Sequence, residues 1–402
     1  MSRIKLARRV TDIKISPSTA AAQKARDLKA EGRDIVDLTV GESDFDTPDT
    51  IKDAAIAAIR AGDTKYTPVN GTVALRQAIQ HDYASRLGLD VDLDRICVGG
   101  GAKQILFLAL TATVETGDEV IIPAPYWVSY PDMVVANGGT PVIVPCGEEV
   151  RFKLTPERLA AAITPATRWV VLNSPSNPTG VAYTAAELVA LGEVLKKHPQ
   201  VFVLCDEIYD RIWYADFPVT SIAAAVPELA ERALVVNGVS KSFAMTGWRI
   251  GYASGPKELI GAINKLQSQS SSCPSSISQA AAVAGLMGDQ SGVEATVAVY
   301  RERCDRIWRR LNAIDGLSCL KPDGAFYLYP NCAGVIGKTT PEGKTIETDL
   351  DFVIYLLESV GVASIHGAAN GMEPHFRIST ATSMAVLEDG CDRIEAACKA
   401  LT

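Results

Sequence analysis

The sequence predicts an α/β protein. A large domain holds a mostly parallel seven-stranded sheet between helices, and a smaller α+β domain is formed by both ends of the chain. Three observations carry this. Seven short apolar runs, at 95–99, 119–123, 140–145, 168–173, 201–206, 233–237 and 248–253, lack the polar alternation of half-exposed strands. Strands buried on both faces belong to parallel sheets covered by helices, and helix-like segments separate most of these runs. Beyond residue 290 the rhythm changes to a long Arg-rich helical segment followed by short strands and helices. The expected division is an N-terminal segment 1–48, which belongs to the small domain, a large domain 49–290 and a small C-terminal domain 291–402. With 402 residues, 47% of them hydrophobic, the chain can fill two such cores.

In order, the first expected helix, 19–30, is rich in Ala, Lys and Arg and stops at Gly32. A short strand covers 34–40. The turn 41–48, GESDFDTP, then leads into an amphipathic helix at 49–61 that Gly62 closes. The irregular loop 66–71 precedes a helix at 72–86, after which the sheet begins. The polar stretch 267–278 marks a loop or helix junction, and 293–314 is a long helix. Two short strands are expected across 317–329, around Pro322-Asp323-Gly324. A helix at 349–360, strands at 361–365 and 376–379, and an amphipathic helix at 386–401 complete the chain.

Composition narrows the function. Net charge is -8 and no basic stripe is present, which argues against a nucleic-acid partner. The nine cysteines include no Cys-x-x-Cys pair, and an odd, scattered set fits reduced thiols in a cytosol. The basic start, MSRIKLARRV, lacks the apolar core of a secretory signal, and the longest apolar run, 105–110, is far too short to cross a bilayer. A soluble cytoplasmic protein is expected, with no membrane partner. His81, His198, His366 and His375 show no metal-ligand spacing, so no metal is expected.

Ligands of open α/β sheets bind beyond the carboxyl ends of the strands. There the run 233–237 leads into Gly238-Val239-Ser240-Lys241, with Arg249 eight positions later. A lysine partly desolvated among cations has a lowered pKa, and its neutral amine can attack a carbonyl to form a Schiff base. After 95–99 come Gly99, Gly100, Gly101, Ala102 and Lys103, opening a helix. Such a turn can cradle a phosphate, although by itself it also fits a plain strand–helix connection. Beyond 119–123 stand Tyr126 and Trp127, where an indole can stack on a flat heterocycle or pack a core. Beyond 168–173, two X-Pro steps in SPSNPTG aim Asn177 or merely shape the turn. Asp206 ends an apolar strand, a costly place for an acid without a cationic partner, and Tyr209 follows three positions on. An amine, an acid, an amide, a phenol, an indole, an anion cradle and a guanidinium on one sheet edge suit a flat phosphorylated aldehyde with a basic ring nitrogen. Pyridoxal phosphate is such a molecule.

Across nearly its whole length the chain resembles the class I, fold type I aminotransferases that use pyridoxal 5′-phosphate, and within them the bacterial aspartate and aspartate/prephenate enzymes. The motifs GESDFDTP, YTPVNG, PYWVSYP, NSPSNPTG, DEIYD, SKSFAMTGWRIGY, GAFY and FRIS carry the resemblance in this order. It implies that Lys241 bonds the cofactor and moves the substrate proton, and that Asp206 holds the ring nitrogen protonated. Tyr209 and Asn177 would bond the ring's phenolic oxygen, and Trp127 would stack on the ring. Ser240, Arg249 and the backbone at Gly101 and Ala102 would hold the phosphate, with Tyr66 reaching it from a neighbouring subunit, hence a homodimer. Arg377, helped by Gly41, would clamp the substrate α-carboxylate. Lys103, with Ser18 nearby, would take a distal carboxylate, and Lys14 matches a basic position linked with prephenate use.

The implied reaction is ping-pong transfer of an amino group between L-aspartate and 2-oxoglutarate. An aromatic or prephenate aminotransferase is the alternative within that chemistry, and a lyase on the same cofactor the alternative outside it. Two places depart from the family pattern. Thr380 stands where a Tyr would follow FRIS, and 365–370, IHGAAN, replaces a Gly-Ser-x-Phe-Gly type of loop.

Overall fold

The computed structural model describes residues 4–14 and 17–402, apart from the side chains of 17–19 and 22. Its main sheet has seven strands: β1 Ile96–Gly99, β2 Glu119–Ala124, β3 Thr140–Pro145, β4 Thr167–Asn173, β5 Phe202–Asp206, β6 Ala233–Gly238 and β7 Gly251–Ser254. They lie in the order β1-β7-β6-β5-β4-β2-β3. Every pairing is parallel except the two that β7 makes, with β6 and with β1. The mostly parallel seven-stranded sheet expected from the apolar runs is therefore present. Its strands alternate between two cores. Val203, Cys205 and Val235 pack with the helices Val73–Asp82, Ala185–Leu195 and Ser276–Met287, whereas Leu204, Leu234 and Val236 pack with Ala102–Thr113 and Lys257–Ser270. Both faces of the central strands are covered, so these read as unbroken apolar runs, whereas the edge strand β3 is largely exposed.

The register matters for chemistry. Asn173 pairs with Asp206, and Asp206 with Val236, which sets the ends of β4, β5 and β6 side by side. The turn carrying Lys241 leaves from the end of β6.

A second apolar cluster collects Val36 and Leu38 with Phe352, Phe376, Leu387 and Ile394. Val36–Asp37 pairs in parallel with Val362–Ala363, and Phe376–Ser379 lies between Ile365–His366 and Tyr327–Leu328 in an antiparallel sheet. The expected strand 34–40 is thus only two residues long.

Other elements differ locally from expectation. In place of two strands across 317–329, only Tyr327–Leu328 is a strand. The Asp323 carbonyl accepts from Tyr214 and Ala215, and the Asp323 and Gly324 N–H groups donate to Gly180 O, so this turn pairs with distant segments and not with itself. The expected strand 248–253 starts at Gly251, because Thr246–Trp248 is a 3-10 turn and Arg249 takes a left-handed φ of 56°. The helix expected at 72–86 is α-helical over Val73–Asp82 and widens to a π-turn at Tyr83–Leu87. The stretch 267–278 is a helix junction between Lys257–Ser270 and Ser276–Met287, the latter capped by Ser275. Among the described residues no helix is long and apolar enough to cross a membrane, and no cluster of metal-ligating side chains occurs. All nine cysteines are free thiols.

Candidate active site

Beyond the carboxyl ends of β4–β6 opens a cleft of about 570 Å³. Gly41, Ala102, Lys103, Trp127, Asn177, Asp206, Tyr209, Ser240, Lys241, Arg249 and Arg377 all line it. Eleven residues singled out from the sequence, spread over more than three hundred positions, are brought to one place.

The Lys241 amine donates to Gly41 O at 2.6 Å. Burial lowers its pKa to about 8; Arg249 and Arg377 add to the effect, while Glu42 and Asp206 oppose it. Opposite stands Asp206, buried at the end of β5. Its Oδ2 accepts the Tyr130 hydroxyl at 2.7 Å and its Oδ1 the Ile208 N–H at 3.3 Å. Burial raises the Asp206 pKa, and these two hydrogen bonds, with Lys241 as a more distant charge, work against that. Among the described residues no cation contacts this carboxylate, so it fits a ligand that brings a protonated ring nitrogen.

At the other end of the cleft a cradle for an anion is built by close approach. Gly101 has φ 99°, and a Cβ there would sit 2.3 Å from the Arg249 guanidinium. A Cβ on Gly251 would sit 2.1 Å from Ala102 N. Only glycine at both positions lets the Arg249 guanidinium, held by Thr246 O at 2.8 Å, lie beside the first turn of the helix Ala102–Thr113. The unpaired N–H groups and dipole of that turn favour a phosphate, with Ser240 and Arg249 beside it. The cleft thus suits pyridoxal phosphate at both ends.

Arg377, on the strand Phe376–Ser379, is 3% exposed. Its Nη1 donates to Asn177 Oδ1 at 3.1 Å and its Nη2 to Thr39 O at 2.6 Å, while Nε has no partner among the described residues. The guanidinium lies 4.7 Å from the Tyr327 ring centroid, and the Tyr327 hydroxyl pairs with that of Tyr209 at 2.8 Å. Lys103 places Nζ 4.6 Å from the Trp127 ring centroid. Burial and the nearby Arg249 lower its pKa, so it is a cation that gains from meeting a carboxylate.

Of the other expected residues, two lie outside the lining of this chain's own cleft. Tyr66 is 90% exposed on its loop, outside the cleft of its own chain. Lys14 is exposed, and its backbone N–H rests on Asp132 Oδ1 at 3.3 Å, away from the lining. The Ser18 side chain lies outside the described residues. Of the two departures from the family pattern, Thr380 is fully buried with Oγ1 3.2 Å from Cys304 Sγ and does not line the cleft. Asn370 is buried against Tyr126.

Sequence reading missed Tyr130 and Tyr327, although each stood inside a quoted motif. Tyr130 follows Trp127 by three positions, a helical spacing that could have marked it. Arg26, Thr39 and Glu42 also line the cleft and carried no signal of their own.

A family model described as aminotransferase class I and II matches residues 33–394. The chain belongs to that family. It is 52% identical over 395 residues to a probable aspartate/prephenate aminotransferase of Rhizobium leguminosarum bv. phaseoli, covering 98% of this chain and 99% of the relative. The crystal structure of the aspartate aminotransferase from Rhizobium meliloti superposes with a TM-score of 0.97 at 50% identity, over 100% of both chains. The Thermus thermophilus aspartate aminotransferase with maleate superposes at 0.92 with 38% identity, over 98% of this chain and 100% of that one.

Proposed function

We propose that the protein is a pyridoxal 5′-phosphate-dependent aminotransferase that moves an amino group between L-aspartate and 2-oxoglutarate. The observation that carries this is the pairing of a depressed amine, Lys241, with a buried, cation-free carboxylate, Asp206, across one cleft. When bound, the cofactor supplies an aldehyde for amines and a ring that draws electrons from the bonds at the substrate Cα. Lys241 would hold the aldehyde and would carry the proton taken from the donor's Cα. Asp206 keeps the ring nitrogen protonated, and Tyr130 favours its ionised form. Tyr209 and Asn177 orient the ring through its oxygen. With Asn177 Oδ1 taken by Arg377, its amide N–H is the part left to donate. Trp127 covers the ring face. Ser240, Arg249 and the backbone at Gly101 and Ala102 hold the phosphate.

Arg377 takes the α-carboxylate through its fork, with Gly41 beside it, and Lys103 takes the distal carboxylate. A relative crystallised with maleate, a dicarboxylate, supports that preference. Lys14 and Ser18 would add to the substrate contacts. We further place Tyr66 at the phosphate of a second copy in a cytoplasmic homodimer. The working units are a large domain, 49–290, and a small one, 291–402 with 1–48. A second reading, use of prephenate, is favoured by the naming of the Rhizobium leguminosarum relative.

The test is a panel of amino donors against 2-oxoglutarate and oxaloacetate, with the bound cofactor followed by absorbance. Aspartate is expected to lead, and borohydride to trap the cofactor on Lys241. Protein that stays colourless with the cofactor, trapping on another lysine, or release of pyruvate and ammonia without an oxo-acid acceptor would each overturn the reading.

A further inference from the structure

The two anchors assigned to a dicarboxylic substrate stand on different parts of the chain. Arg377 is on the strand Phe376–Ser379, whereas Lys103 lies over the ring of Trp127. A reciprocal polar contact ties these parts together. Tyr126, the neighbour of Trp127, donates its backbone N–H to Asn370 O at 2.9 Å, and Asn370 Nδ2 donates back to Tyr126 O at 2.8 Å. Asn370 is 0% exposed. Gly371 packs so closely on the Tyr126 ring that a Cβ there would lie 2.4 Å from it.

Neither end of this contact is slack. On the Arg377 side, Gly367 N donates to His375 O at 2.7 Å and Met372 N to Gly367 O at 3.1 Å. Asp349 Oδ2 accepts from Ala368 N at 3.0 Å and from His375 N at 3.3 Å. Ile365 pairs with Arg377 itself in antiparallel register. A shift at residue 370 therefore reaches the guanidinium through a braced loop. On the other side, Trp127 meets Tyr130 edge-on at 5.3 Å, and Tyr130 is fastened to Asp206. An apolar residue at 370 could fill the same volume, yet it would make no directed bond to Tyr126 O. The asparagine fixes a distance as well as filling space.

We propose that Asn370 is a positioning residue for substrate length. By joining the Arg377 loop to the Trp127 segment it sets the separation of Arg377 from Lys103, and with it the preference between four- and five-carbon dicarboxylates. This rests on the reading that those two cations take the two carboxylates. A monocarboxylate such as alanine uses Arg377 alone and does not sense the separation.

The experiment measures kcat/KM for aspartate, glutamate and alanine in the holoenzyme of Asn370→Leu and of Asn370→Asp. The first removes the bond and keeps the branching at Cγ, with a larger side chain. The second keeps the shape and replaces the donor by an acceptor, so it gives a folded comparison should the leucine variant not fold. The aspartate-to-glutamate ratio is expected to change by about tenfold, with alanine moved much less and the cofactor spectrum unchanged, since sub-ångström errors in placement are costly to rate. Parallel loss on all three donors with the ratio intact, or lowered melting temperature alone, identifies a merely structural residue and overturns the proposal. If the wild-type enzyme uses alanine as well as aspartate, the dicarboxylate reading fails first and takes this inference with it.

Discussion

The two walls of the cleft are built on different principles. The wall carrying Asp206 and Lys241 is the edge of one sheet. Its residues are set by neighbouring strands in register, Asn173 beside Asp206 and Asp206 beside Val236. In the opposite wall the ladder is shorter, Arg377 pairing with Ile365 in a small antiparallel sheet, and the guanidinium is then aimed by side-chain contacts. Arg377 is held by side-chain bonds to residues 200 and 338 positions away, Asn177 and Thr39, and its loop leans on Tyr126 through Asn370. A backbone ladder fixes atoms whatever side chains surround it, whereas a wall assembled from side-chain contacts changes when any one of them is replaced. The first suits chemistry common to every substrate, the second suits selection among substrates.

That contrast predicts which variants spare donor preference. Lys241→Ala should produce the largest effect, a loss in kcat of about 10⁴-fold or more, equal for every donor. Single-turnover absorbance with aspartate, glutamate and alanine checks it. Unequal losses would mean that the sheet-edge wall also selects substrate.

Arg377→Ala and Lys103→Ala divide the opposite wall. Removing the buried fork should lower kcat/KM by about 10²-fold for all donors, mainly through KM, as expected for losing a charge-assisted bidentate contact. Removing Lys103 should cost aspartate about tenfold and alanine little, the size of one hydrogen bond to a charged group. If both variants spare alanine, or neither does, the assignment of α- and distal carboxylates is reversed or wrong.

The same division explains what the sequence disclosed. The seven strands were readable because burial on both sheet faces removes polar alternation, and their ends then located Lys241, Asp206 and Asn177 without further information. The pairing of Asp323 and Gly324 with Gly180 was not readable, since it depends on a contact between chain segments more than a hundred residues apart. Nor was the place of Asn370. Nothing in IHGAAN announces that its side chain will meet a backbone carbonyl at residue 126. Periodicity encodes burial on a regular element, and it carries no record of which irregular segments meet.

Titration offers a finer probe of the sheet-edge wall. The Lys241 pKa of about 8 reflects burial opposed by Glu42. The neutral amine is the form that attacks, so its fraction grows as pH rises through that value. The rate of aldehyde capture by cofactor-free protein should climb with pH and level off above it. Glu42→Gln removes an anion that favours the ammonium form, so the midpoint should move to lower pH. A midpoint near that of an ordinary lysine would show that the amine is not held in the buried place described.

The smallest expected effect is the most diagnostic. Tyr130→Phe keeps the ring that meets Trp127 edge-on and deletes only the hydroxyl bonded to Asp206 at 2.7 Å. A single such bond contributes about 1 kcal/mol, so kcat should fall by roughly fivefold. The hydroxyl lowers the Asp206 pKa against the effect of burial. Its loss raises that pKa, and the acid limb of the rate profile should move to higher pH, because the carboxylate is then protonated sooner as pH falls. Donor preference should not move, since the variant keeps the ring that braces Trp127. A changed ratio of aspartate to alanine in this variant would mean that the disturbance travels through Trp127 and Lys103 to the selecting wall, and that the two walls are one mechanical unit.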